Sequence, residues 1–166
     1  MPKPVSMMKG HTDLYYTPSY AIDILLPYLD KSWTIWEPAC GLNNITQYLK
    51  DNGYTVVSSD IEEDFMTTKK SCDAIVTNPP YSIKDLFLRR CYEIGLSFAM
   101  LLPLTALESE NRQWLYREFG LQLIIPNKRV NFITSDGSGS GSWFATAWFT
   151  MGLNLPSDLT FVILNK

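Results

Sequence analysis

Residues Asn78-Pro79-Pro80-Tyr81 carry the sharpest chemical signal in this 166-residue chain. They follow the apolar run Asp73 to Thr77, which reads as a strand, and precede a helical pattern. Two consecutive prolines fix the backbone and remove two N–H donors, so carbonyl acceptors remain. Asn78 adds a side-chain acceptor and Tyr81 an aromatic face. Acceptors held beside a ring suit a planar amino group on a π system: the oxygens take its hydrogens while the ring stacks on its plane. The alternative is a turn that merely ends the strand.

Two further segments could hold a nucleotide-like ligand. Glu37-Pro38-Ala39-Cys40-Gly41 directly follows a short apolar strand, Ser32 to Trp36. A strand, a glycine loop and a helix in that order let backbone approach a cofactor. Asp60 ends the next strand, Tyr54 to Ser59, about 20 residues beyond that loop, where nucleotide-binding α/β folds place a ribose-binding carboxylate. Ile61 follows and could flank an adenine; Asp60 could also be only a turn cap.

In order from Tyr15 to Phe149, these segments resemble the amino-methyltransferase family, whose signature is Asp, Asn or Ser, then Pro-Pro, then an aromatic residue. The resemblance extends to phage-type DNA N6-adenine methyltransferases. It implies S-adenosylmethionine as cofactor and N6 of adenine in DNA as target. Asn78 O and the Pro79 carbonyl would accept from the target NH2, with Pro80 completing the motif and Tyr81 stacking on the base. Asn78 would border the cofactor as well. Glu37 would bind the cofactor ammonium, and Ala39 and Gly41 would offer close backbone contact. The family loop usually has a second glycine where Asn43 stands here.

The resemblance also covers Asp64-Phe65, Tyr15-Tyr16-Thr17-Pro18 and Arg129-Val130-Asn131-Phe132. Asp64 would accept from the cofactor adenine and Phe65 would touch its ring, unless Phe65 is plain core. Tyr16 and Thr17 would stand by a helix N-terminus that favours the cofactor carboxylate. Phe132 would cover the second face of the stacked base, or pack in the core. Lys84, Lys128 and Arg129 are candidate phosphate contacts, whereas Arg89 and Arg90 read as a solvated face.

These residues need a scaffold, and the pattern supplies one. A helix from Thr17-Pro18 to about Leu29 is expected, bent or ended at Pro27. Asn44 with Gln47, Ser82 with Asp85, and Thr105 with Glu108 read as helix starts. Strands are expected at Ser97 to Leu102, Leu121 to Ile125, Arg129 to Ile133, Trp143 to Thr150 and Thr160 to Leu164. The alternation implies an α/β fold, a mostly parallel sheet with helices on both faces and an antiparallel edge strand. By resemblance this is a Rossmann-like class I methyltransferase sheet of seven strands. Asp136 to Ser142, rich in Gly and Ser, reads as a loop within one catalytic domain that has no separate target-recognition domain.

Composition narrows the alternatives. Apolar residues form 46% and charged residues 19%, as in a globular chain, and no apolar run is long enough for a membrane span. A cytoplasmic location is expected. Three cysteines without a CxxC pair, and the single histidine His11, argue against disulfide frameworks, metal sites and Ser-His hydrolases. The net charge of -3 argues against a protein that wraps long duplex DNA, so a dimer, a recognition partner or the loop Thr134 to Ser142 would supply specificity. An RNA or protein-glutamine amino-methyltransferase, or a non-catalytic binding module, remain rivals. A Rossmann dehydrogenase is disfavoured because GxGxxG is missing.

Overall fold

The computed structural model describes residues 15–60, 63–133 and 143–166. His11, Ile61 and the Thr134 to Ser142 segment lie outside the described residues. Strands β1 (Thr34–Glu37), β2 (Thr55–Ser58), β3 (Ala74–Thr77), β4 (Ser97–Pro103), β5 (Gln122–Pro126), β6 (Thr146–Met151) and β7 (Leu159–Val162) form one sheet. The helices are α1 (Ser19–Asp23), α2 (Asn44–Asp51), α3 (Lys84–Ile94) and α4 (Glu110–Phe119).

The central strands are apolar on both sides, because successive side chains point to opposite faces and both faces are covered. Ile35, Val76, Ala99, Leu101 and Trp148 pack with Ala21, Ile22 and Leu25 near α1 and with Ile45 and Leu49 of α2. Their neighbours Trp36, Ile75, Phe98, Met100 and Phe149 pack with Phe87, Leu88 and Cys91 of α3 and with Leu115 of α4.

The strand order is β2-β1-β3-β4-β6-β5-β7. β1 to β4 are mutually parallel, β6 opposes both β4 and β5, and β7 runs parallel to β5. This is the expected seven-stranded, mostly parallel sheet, and its one antiparallel strand lies third from the β7 margin. After β2 the chain crosses to β3 on the other side of β1. The strand order therefore reverses between β1 and β3, and such a switch point opens a crevice at the carboxyl ends of the strands. No helix among the described residues is long and apolar enough to cross a membrane.

Several local expectations change. Arg129 to Ile133 is not a strand. Val130 and Phe132 alternate inward, 0% and 1% exposed, but β5 already pairs with β6 and β7 and offers no free edge. Ile133 instead makes a single bridge with Tyr16. The N-terminal helix stops at Asp23, and a 3-10 turn over Leu26–Tyr28 replaces its last part, since Pro27 has no N–H to continue the ladder. Thr105 falls in a 3-10 turn, and Ser109 caps α4 by accepting from the Arg112 N–H. The segment around Ser82 is a 3-10 turn, Tyr81–Ile83, running into α3 without a side-chain cap.

Candidate functional site

The loops after β1 and β2 are zipped together by Ser59, which donates from N to Glu37 O at 2.9 Å and accepts from Cys40 N at 3.0 Å. A tight turn then runs from Cys40 to Asn43, closed by Asn43 N to Cys40 O at 2.7 Å. Gly41 (φ +50°) and Asn43 (φ 63°) are both left-handed. The Asn43 amide makes no side-chain cap to α2, so its role at this place is conformational. Asn43→Ala is expected to lower the unfolding free energy by about 1–2 kcal/mol and Asn43→Gly to leave it nearly unchanged, as read by chemical denaturation.

The cap of α2 comes from Glu37 instead. Its carboxylate accepts from the Thr46 hydroxyl and the Thr46 N–H in the first turn of the helix. Glu37 is 2% exposed, and desolvation pushes its carboxyl up to about 8. The two Thr46 hydrogen bonds pull the other way, and the nearby Asp60 charge adds to the rise. A buried carboxylate at the carboxyl end of β1, with no basic partner among the described residues, fits a ligand cation. Thr46 was missed from the sequence; its β-branched hydroxyl one turn into the helix gave no local sign of a partner on β1.

Asn78, at the end of β3, is held from across the chain. Its Nδ2 donates to Tyr15 O and to Thr17 Oγ1, both at 3.1 Å. A backbone carbonyl can only accept, so the amide orientation follows from the contact. Both amide hydrogens are then engaged, and Oδ1 faces the other way. That oxygen is buried and has no hydrogen-bond partner among the described residues. An unsatisfied buried acceptor costs about 1–3 kcal/mol, so a donor that fills it is favoured. Pro79 is buried and half-buried Pro80 uses its carbonyl to close the turn with Ile83 N at 3.1 Å; the Pro79 carbonyl does not belong to that turn.

Tyr15, Tyr81, Phe132 and Phe144 form one cluster of rings. Tyr81 lies nearly parallel to Tyr15, with centroids 5.9 Å apart and planes at 27°. Phe132 and Phe144 stack on each other at 24° and stand steeply to Tyr81, at 83° and 75°. Phe132 meets Tyr81 edge-on and is 1% exposed, packed as core. Tyr16 lies against the glycine loop, 3.8 Å from the point where a Gly41 Cβ would stand, and Thr17 is buried beneath Asn78.

Other candidates land differently. Phe65 is core, 4% exposed, between Trp36 (5.1 Å) and Phe87 (4.8 Å). Asp64 is exposed and accepts from Met66 N at 2.9 Å, a turn contact within its own loop. Arg90 is not a solvated residue: its guanidinium donates to Phe65 O at 3.1 Å and Thr68 O at 3.2 Å, and so holds that loop against α3. Lys84 donates to Tyr81 O at 3.3 Å, while Lys128 and Arg129 are exposed. Asp60 and Ala39 are partly exposed at the same carboxyl edge.

No family model matches this chain, and no curated protein sequence matches it. Solved structures do. A protein from Listeria monocytogenes assigned to the class I S-adenosylmethionine-dependent methyltransferases superposes with a TM-score of 0.62 and 12% identity, over 96% of this chain and 68% of that one. A dimethyladenosine transferase from Plasmodium falciparum gives 0.56 and 14%, over 82% of this chain and 61% of that one. A modification subunit assigned to a type I restriction enzyme of Vibrio vulnificus gives 0.51 and 13%, over 86% of this chain and 45% of that one. The fold is thus that of the Rossmann-like class I methyltransferases. This chain spans about six tenths of the Plasmodium protein and under half of the Vibrio subunit.

Proposed function

We propose that this chain is an S-adenosylmethionine-dependent methyltransferase that acts on the exocyclic N6 amino group of adenine in DNA. The observation that carries the reading is Asn78, whose NH2 group is clamped by Tyr15 and Thr17 while Oδ1 stays buried and unsatisfied. An acceptor so placed matches an amino group brought in by a ligand. The aromatic surround suits a heteroaromatic base better than the small amide of a glutamine side chain. The neighbours named for dimethyladenosine transfer and for restriction-enzyme modification support a nucleic-acid base.

When bound, the cofactor supplies an electrophilic methyl group on a sulfonium. The protein's part is position and electrostatics. Glu37 takes the cofactor ammonium, Gly41 and Ala39 let backbone come close, and Asp60 takes the ribose hydroxyls. Tyr16 and Thr17 border the cofactor carboxylate. Asp64 and the residues after Asp60 remain candidates for its adenine. Asn78 Oδ1 and the Pro79 carbonyl accept the two N6 hydrogens. This would draw the nitrogen away from conjugation and leave its lone pair free to attack an electrophilic methyl group. The nitrogen needs no base before attack, and its extra proton leaves afterwards to water. A base in duplex DNA must first be flipped out. Lys84, Lys128 and Arg129 offer the few phosphate contacts, and a dimer or partner would add specificity.

Asp60→Ala is expected to weaken cofactor binding by about 1.5–3 kcal/mol, the worth of a hydrogen bond to a charged group, as measured by calorimetry. The whole reading is tested with labelled cofactor and separate pools of duplex DNA, single-stranded DNA, tRNA and rRNA, followed by nucleoside analysis. Label in N6-methyladenine from DNA is the expected result. Label confined to RNA would move the substrate, and a folded protein that binds no cofactor would end the assignment.

A further inference from the structure

We infer that Tyr15 is the second wall of the target-base slot, so that the base is held between Tyr15 and Tyr81. The inference rests on the nucleic-acid amino-methyltransferase reading and names a substrate contact within it. Three observations meet here. Tyr15 is the ring most nearly parallel to Tyr81 in the cluster, whereas Phe132 and Phe144 stand at 83° and 75° to Tyr81 and at 56° and 80° to Tyr15. The Tyr15 carbonyl accepts from Asn78 Nδ2, which ties this wall to the residue whose Oδ1 is buried and unsatisfied. Tyr81, three residues beyond Asn78, is the opposite wall.

The two rings are 5.9 Å apart between centroids and pack on each other, so a planar base enters only as the rings part. Phe132 and Phe144 meet Tyr81 edge-on, so neither offers it a parallel face.

Two measurements test this. In protein carrying ring-labelled tyrosine and saturated with the demethylated cofactor, a single-stranded oligodeoxyadenylate should shift both the Tyr15 and Tyr81 ring signals upfield. A shift at Tyr81 with none at Tyr15 would overturn the inference, since the base would then lie on another face of Tyr81. In kinetics, Tyr15→Leu should raise the KM for the oligonucleotide by about 5- to 150-fold, the range for loss of one stacking contact. Its cofactor Kd should hold at the wild-type value, because the backbone carbonyl that clamps Asn78 is kept. Tyr15→Phe should recover most of the loss. A Tyr15→Leu protein with wild-type KM also overturns the inference. Wild-type protein that methylates no adenine-containing pool removes the parent reading and this inference together, which separates the two failures.

Discussion

Asn78→Ala should lower methyl-transfer turnover by about 10²–10³, the usual loss when a positioned transition-state hydrogen bond is removed. The substitution deletes the buried Oδ1 and leaves the target amino group with the Pro79 carbonyl alone. It also releases Tyr15 O and Thr17 Oγ1, which the Asn78 amide bridges. Some loss of cofactor affinity therefore accompanies it, far smaller than the loss in rate. Single-turnover rates at saturating cofactor separate the two. Tyr81→Ala removes stacking instead, so nucleic-acid binding should weaken together with turnover, by roughly 1–3 kcal/mol. Full activity of Asn78→Ala on the native substrate would mean that the motif is only a turn.

The second large effect is expected at Glu37. In the free protein burial holds its carboxyl up to about 8, against 4.5 for an ordinary glutamate. As pH rises through this window the unfolded chain ionises Glu37 while the folded chain keeps it protonated. The stability this residue confers is therefore fully present below about pH 4.5 and is lost progressively up to about pH 8. The loss is on the order of a few kcal/mol. Glu37→Gln should flatten the slope, as read from denaturation midpoints between pH 5 and pH 9.

A ligand ammonium beside Glu37 reverses the preference, because the opposite charge favours the carboxylate. Cofactor binding should then release a proton below about pH 8, and affinity should rise with pH up to that point. Calorimetry in two buffers of different ionisation heat counts the proton. Glu37→Gln should lose the proton release and bind the cofactor about 10²-fold more weakly at pH 8. Unchanged affinity in Glu37→Gln would remove Glu37 from the cofactor site.

The sequence by itself determined what is local. The runs Ser32 to Trp36, Tyr54 to Ser59 and Asp73 to Thr77, stopped by Glu37-Pro38, Asp60 and Asn78-Pro79, marked strand ends, because short apolar runs suit sheet strands and prolines or acidic residues stop them. The alternation of strands with helices then implied a parallel sheet, whose carboxyl edge must carry all three loops. The left-handed turn at Gly41 and Asn43 was likewise visible in residue type. Periodicity misled where partners were missing. Arg129 to Ile133 has an inward alternation without a free strand edge beside it. Thr105 with Glu108 has the spacing of a cap, but the helix begins at Glu110 behind Ser109.

Only the tertiary structure decided the chemistry of the site. Asn78 is oriented by residues 61 and 63 positions away, and no local rule states which half of its amide those contacts occupy. Glu37 acquires its raised pKa from burial and from the Asp60 charge beyond β2, against two opposing hydrogen bonds from Thr46 of α2. Arg90 looked solvated because it pairs with Arg89 in sequence, yet its carbonyl partners sit in the loop before β3. Tyr15 lies nearly parallel to Tyr81 and Phe132 edge-on to it, and ring orientation of this kind cannot be read from residue type. The physical reason is common to all four. Hydrogen bonds, desolvation and stacking depend on distances across the sheet, and those are set by strand order rather than by spacing along the chain.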